Sequence, residues 1–197
     1  MKFSGLLSGG SISLLVTLVS SNAFHSWGST KTIQAVVVNG STDSILTSKS
    51  YGLDSPKVSP INYTSWDWWY FDVVSEDAQS SAVVVLYTAP ETGFVFAQAP
   101  TQSILEASLY LNVPGYLEPV SLVAFADNVT VVSIGNGASG DWTGAGFSFD
   151  GSPDMRKYVV AIDNEGLGVK GTITFQSVYD LITFIFLNQI SRILMGL

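Results

Sequence analysis

Cysteine is absent from the 197 residues, and histidine occurs once, at His25. The first absence excludes disulfides, a thiol nucleophile and cysteine metal ligands. The second argues against a histidine-based catalytic triad and excludes a histidine-rich metal centre. Basic residues are scarce: 8 against 16 acidic ones, a net charge of −8, with no basic patch and no long run of one sign. No nucleic-acid partner is expected, because phosphate binding rests on clustered Lys and Arg. Gly135-Asn136-Gly137 and the stretch 140–146 carry no phosphate-loop lysine and are expected to be turns. No acidic cluster has calcium-loop spacing. The sequence therefore implies no metal and no cofactor. Long clean hydrophobic runs are missing too. The apolar stretch 6–19 is diluted by Gly9, Gly10 and serines, and the tail by Asp180, Asn188, Gln189 and Arg192. No stable membrane insertion is expected.

What the chain has is apolar and aromatic material, 47% hydrophobic against 12% charged, enough for a core without disulfides. Lys2, the apolar stretch after it and Ser21-Asn22-Ala23 predict a signal peptide over 1–23, cut after Ala23; an uncleaved anchor is the alternative. Three acceptor sequons start at Asn39, Asn62 and Asn128, so the expectation is a glycosylated protein of the secretory pathway, finally secreted. Residues 24–60 form a Ser/Thr-rich arm with one predicted strand, 32–38, followed by the turn Asn39-Gly40. Residues 61–177 alternate β-rich runs with turn residues. The predicted strands are 66–74, 81–88, 93–98, 104–111, 117–126, 129–134, 146–149, 157–162 and 171–176. Such short spacings favour antiparallel neighbours in an all-β barrel or sandwich.

Three of the five tryptophans lie in Trp66-Asp67-Trp68-Trp69-Tyr70-Phe71-Asp72. On a strand, Trp66, Trp68, Tyr70 and Asp72 share one face, and Asp67, Trp69 and Phe71 the other. Both faces are aromatic and both carry a carboxyl group. One reading makes this a core strand whose acids bond to backbone or indole donors. The other makes one face the wall of a cavity for a flat, partly polar guest. An aspartate walled by indoles would have its pKa raised by desolvation and could move a proton. Glu106 shares a predicted face with Ser108 and Tyr110, and is read as facing either a lumen or, preferably, water. Tyr87 ends an apolar run and reads first as core.

The motif at 66–72, with Ser59-Pro60 before it and the strand 81–88 after it, resembles the fungal Diels–Alderase family. Gly166-Leu167-Gly168-Val169-Lys170-Gly171-Thr172-Ile173-Thr174-Phe175 resembles a second segment of that family. The family is a branch of a lipocalin-like superfamily that also holds a carotenoid hydratase, hydroxyneurosporene synthase, and a fungal phytoalexin hydratase. The resemblance covers about residues 56–177 and implies a lipocalin-like antiparallel β domain, the N-terminal one of a normally two-domain protein. It implies a cofactor-free [4+2] cycloaddition, of Diels–Alder or hetero-Diels–Alder type, on a small apolar polyene, polyketide or terpenoid-type substrate. A cycloaddition needs alignment and hydrogen bonds rather than a nucleophile, so stiff Trp and Tyr donors suit it. Trp68, Tyr70, Asp72 and Asp67 are the candidate catalytic residues, and Trp66, Trp69, Tyr87, Glu106 and Tyr110 the candidate substrate contacts. A hydratase or dehydratase of the same superfamily, or a non-catalytic binder of an apolar metabolite, would use similar walls. The resemblance stops near Ser177. The apolar tail 178–197 is therefore read as a truncation or intron read-through, with a packed C-terminal helix as the alternative.

Overall fold

The computed structural model describes residues 28–47, 51–95 and 103–177, and the backbone of 190–195. The predicted signal peptide and most of the tail lie outside the described residues. The chain is all-β. Its strands are β1 (Gly28–Gln34), β2 (Asp43–Ser44), β3 (Val58–Ser59), β4 (Asp67–Val74), β5 (Ser81–Thr88), β6 (Glu106–Asn112), β7 (Val120–Phe125), β8 (Asn128–Ile134), β9 (Gly137–Thr143), β10 (Phe147–Gly151), β11 (Lys157–Asn164), β12 (Val169–Gln176) and β13 (Ile190–Met195). A four-stranded sheet runs β4-β5-β6-β7, a seven-stranded sheet runs β1-β8-β9-β10-β11-β12-β13, and β2 pairs with β3. Every pair of neighbouring strands is antiparallel.

Period-two alternation builds the core between the two larger sheets. From the smaller sheet come the rows Trp69–Leu86–Ala107, Phe71–Val84–Leu109 and Val73–Ala82–Leu111. From the larger come Val129, Val131, Trp142, Phe147, Phe149, Val160, Ile162, Ile173 and Phe175. Trp142 is fully buried, and its indole N–H donates to the Tyr87 carbonyl at 3.1 Å, tying the sheets together. Ala126 and Asp127 carry the chain from one sheet to the other. The Ala126 amide donates to Leu105 of the strip entering β6, at 2.9 Å, and the Asp127 amide to Thr143 of β9, at 2.9 Å.

Four sequence expectations change. Residues 135–136 and 144–146 are turns as expected, but Gly137 and 140–143, also expected in turns, belong to β9, an interior strand of the larger sheet. Its small residues are what two aromatic rings require: a Cβ on Gly140 would lie 2.5 Å from the Phe149 ring and 2.8 Å from the Trp142 ring. The strand expected from residue 93 is replaced, over its described part, by a turn. There the Gly93 and Phe94 amides both donate to the Pro90 carbonyl, at 2.9 and 3.0 Å. The strand placed at 32–38 starts earlier, as β1, and pairs with β8 through all seven of its residues. In the tail, Ile190–Met195 pairs antiparallel with β12 as β13 rather than forming a helical turn. The Ser59–Pro60 peptide is cis.

Candidate functional site

β4 is the margin of the smaller sheet, and its residues alternate between core and surface. Trp69 is 6% exposed, whereas Trp68 and Tyr70 are 38% and 51% exposed. The outer face gathers most of the residues singled out from sequence. Trp68 stands opposite Tyr87; Tyr70 stands in a row with Val85 and Ser108; Asp72 stands in a row with Val83 and Tyr110. Trp66, just before the strand, meets Trp68 edge-on at 5.4 Å. Phe94 closes the cluster, with ring centroids 4.7 Å from Trp66, 5.0 Å from Trp68 and 5.8 Å from Tyr87. The turn that presents Phe94 is anchored by the Thr92 hydroxyl, which donates to the Tyr63 carbonyl at 2.7 Å.

The same face holds Glu106, which is fully buried; the expectation that it meets water fails because Tyr87, Phe125 and Ser108 surround its place in the sheet. The Ser108 hydroxyl donates to Glu106 Oε1 at 2.5 Å. Burial, then Tyr110, Glu106 and Tyr70, push the Tyr87 hydroxyl up to about 12, so it remains an O–H donor across the physiological range. Burial and the neighbouring Asp72 likewise raise Tyr70.

The two aspartates of the motif diverge. Asp67 lies on the inner side, and burial raises its pKa. Its Oδ2 accepts from the Lys57 amide at 2.6 Å and its Oδ1 from the Trp68 amide at 3.0 Å. That is the structural alternative: a carboxyl group clamping the loop 51–57 to β4. Asp72 is exposed and borders a cleft.

This cleft, of about 260 Å³, opens where the β4 margin passes the larger sheet. Trp68 to Asp72 form one wall, and Met155, Tyr158 and Phe175 the other. Asp54 caps it from the loop 51–57. The Tyr158 hydroxyl donates to Asp54 Oδ2 at 2.9 Å, and the Trp69 indole N–H to the Asp54 carbonyl at 3.3 Å. The loop itself is pinned to the β8–β9 turn, with the Gly52 amide on the Gly135 carbonyl (2.7 Å) and the Asp54 amide on the Asn136 carbonyl (2.9 Å). Desolvation dominates at Asp54 and pushes its carboxyl up to about 6, against the opposing effects of the Tyr158 hydrogen bond and Lys57. Sequence reasoning missed Asp54, Met155, Tyr158 and Phe175. Asp54 and Tyr158 are 104 residues apart, and nothing local marks either.

A stability test follows from this carboxyl group. Between its ordinary 3.8 and about 6, the folded chain holds a proton on Asp54 that the unfolded chain has released. Its contribution to stability therefore falls as pH rises through that window. Relative to Asp54→Asn, the unfolding free energy of the unsubstituted protein should decline by up to ~3 kcal/mol from about pH 4 to about pH 7. Urea unfolding of both proteins at matched pH checks it; parallel profiles would contradict it.

The sequon asparagines differ in setting. Asn39 is exposed, and Asn128 is half-buried in β8. Asn62 is half-buried, with its amide nitrogen donating to the Gly40 carbonyl at 2.9 Å. Among the described residues, no three His, Cys, Asp or Glu side chains converge as a metal site.

An antiparallel β domain with an aromatic face that is part-exposed along β4 and an adjoining carboxyl-capped cleft has the surfaces of a small-molecule site. The chain belongs to the Diels-Alderase-like family, whose sequence model matches residues 28–182. It is 34% identical over 145 residues to the quinolone epoxide rearrangement protein asqO of Emericella nidulans, covering 71% of this chain and 38% of that protein. It is 40% identical over 136 residues to the quinolone epoxide rearrangement protein penF of Penicillium thymicola, covering 64% and 36%. It is 32% identical over 130 residues to the Diels-Alderase ORF3 of Pyricularia oryzae, covering 62% and 30%. The chain thus spans about a third of the length of the curated relatives it matches.

Proposed function

We propose that this domain supplies the aromatic wall of a site where a small, unsaturated polyene, polyketide or terpenoid-type metabolite is cyclised by [4+2] cycloaddition, of Diels–Alder or hetero-Diels–Alder type. The observation that carries this reading is the outer face of β4 to β6. There, Trp66, Trp68, Tyr87 and Phe94 touch one another, while Trp66 and Trp68 stay more than a third exposed. Stiff rings on a sheet hold a folded guest without losing much side-chain freedom of their own. Alignment of two reacting ends is the larger part of what a cycloaddition requires. The hydroxyls of Tyr70 and Tyr110 stand on the same face and can polarise a conjugated carbonyl. All bonds made and broken belong to the substrate, so the step needs no co-reactant.

A second reading, acid-assisted rearrangement of an epoxide, is favoured by the protonatable Asp54 beside this wall and by the names of two relatives. Both reactions give an isomer of the substrate. The purified protein should be incubated separately with a polyene carrying an activated dienophile and with an aryl epoxide. Products are then resolved by chiral chromatography with mass detection. A stereochemically biased isomer from the polyene is the expected result. Turnover of the epoxide alone would favour the second reading, and a product heavier by one water would make the protein a hydratase. Tight binding without turnover of either compound would leave a binder and refute catalysis.

A further inference from the structure

The cleft between the β4 margin and β11–β12 adjoins the outer aromatic face and shares Trp68, Tyr70 and Asp72 with it. It has an apolar body, formed by Trp69, Phe71, Met155 and Phe175, and a polar end at Asp54. Its volume, about 260 Å³, is slightly below the ~300–1,000 Å³ of sites for drug-sized ligands. It suits a fused two-ring molecule rather than a long chain. The polar end is built rather than incidental. The β8–β9 turn fixes the Asp54 loop from behind through two backbone hydrogen bonds, and the Tyr158 hydroxyl holds Oδ2 at 2.9 Å. Met155 comes from the turn before β11. It is a non-glycine residue at φ 59°, in the left-handed region, and it lines the cleft. Such strain costs on the order of 1–3 kcal/mol and persists where the surroundings impose it. Here Ser152 does so: its carbonyl accepts from the Met155 amide at 2.8 Å, and its hydroxyl oxygen accepts from the Arg156 and Lys157 amides, each at 3.0 Å.

We infer that this cleft is a binding site for a planar, mostly apolar two-ring molecule whose N–H or O–H donates a hydrogen bond to Asp54 Oδ1, with Tyr158 as the residue that positions the carboxylate. Phe71 and Phe175 touch, with ring centroids 5.8 Å apart, so the rings of the guest would lie over them, beside Met155. The inference goes beyond the cycloaddition reading, since it concerns binding alone and is anchored at Asp54 and Tyr158 rather than at Trp66, Tyr87 and Phe94.

The charged groups around the anchor set the pH behaviour. Asp54 faces Lys57 on its own loop, Asp67 from β4 and Tyr158 from β11; Asp72 borders the same cleft, and Asp154 acts on Tyr158. An accepting carboxylate must be ionised. Affinity for a donor should therefore be half its full value near pH 6, where Asp54 is half ionised, and full only above about pH 7. Removing the Tyr158 hydroxyl removes a hydrogen bond that favours ionisation, so it should move the midpoint to higher pH.

The experiment titrates the full chain with 2-naphthol, followed by ligand-observed NMR. 2-Methoxynaphthalene serves as the control of nearly equal shape without the donor. Above about pH 7, 2-naphthol should bind about tenfold more tightly than the methyl ether, as expected for a hydrogen bond to a charged acceptor. Asp54→Asn should reduce that preference severalfold and flatten its pH dependence, while affinity for the methyl ether stays unchanged. Tyr158→Phe should keep the preference at high pH and shift its midpoint upward. Melting curves of each variant separate lost binding from lost fold. Equal affinity for the two probes, or a preference that survives Asp54→Ala in a folded protein, would overturn the assignment. No step of this test involves turnover, so its failure leaves the cycloaddition reading standing, and the reverse also holds.

Discussion

Trp69→Ala should cost ~3–5 kcal/mol of folding stability, while Trp68→Ala, one residue earlier, should cost about 1–2 kcal/mol. Trp69 is buried, meets Trp142 edge-on at 5.6 Å and Phe149 at 5.6 Å, and donates its N–H to Asp54. Trp68 loses ring contacts with Trp66, Tyr70, Tyr87 and Phe94, but its site is already open to water. Urea unfolding midpoints, compared at equal slope, measure the difference. The milder pairs test function along the same strand. Trp68→Phe and Tyr70→Phe each keep a ring and lose a donor, and should lower turnover by roughly tenfold with little loss of stability. Trp69→Phe and Phe71→Leu should lower the melting temperature and leave the rate per folded molecule near its original value. If all four lose activity only in step with folded protein, the outer face has no role beyond packing.

Gly140→Val should destabilise the protein by ~3 kcal/mol, lowering its melting temperature by about 6–12 °C. The new carbon would meet Phe149 and Trp142 well inside contact distance. Neither ring can step aside. Trp142 is held through its N–H, and Phe149 packs on Trp69, Phe71, Trp142 and Tyr158. Asp141→Ala, at the exposed neighbouring position of the same strand, is the control and should change stability by less than ~0.5 kcal/mol. A melting temperature for Gly140→Val within error of that control would mean that the rings are not packed as described.

The parity of β4 was legible from sequence because alternation is a local property. Which residues share a face follows from the backbone once the strand is granted, and β5 was read to the residue for the same reason. β9 was not legible. Its Gly137-Ala138-Ser139-Gly140 run carries little of the branched or aromatic bulk that marks strands, since the space above it belongs to side chains from elsewhere. Glu106 illustrates the complementary failure. A single acid in an apolar run suggests a solvent-facing position, yet its partner Ser108 lies two residues on and its surroundings come from three strands. The Asp54–Tyr158 contact was beyond reach altogether, because it exists only after the two sheets have closed on each other. The aromatic motif is local in sequence; the cleft beside it is a product of tertiary packing.

The position of β4 at the margin of its sheet has a bearing on how the protein behaves at high concentration. Among the described residues no strand pairs with its outer edge, and an unpaired edge rich in aromatic groups invites the same edge of another molecule to add to it. Two features oppose that. Asp67 draws the Lys57 amide to its carboxyl group, so the loop 51–57 screens one end of the strand. Asp72 sets a second acid near the other end, on the opposite face. The exposed margin of β4 is thus poorly suited to an incoming strand, and the two acids of the aromatic motif act as guards against self-association.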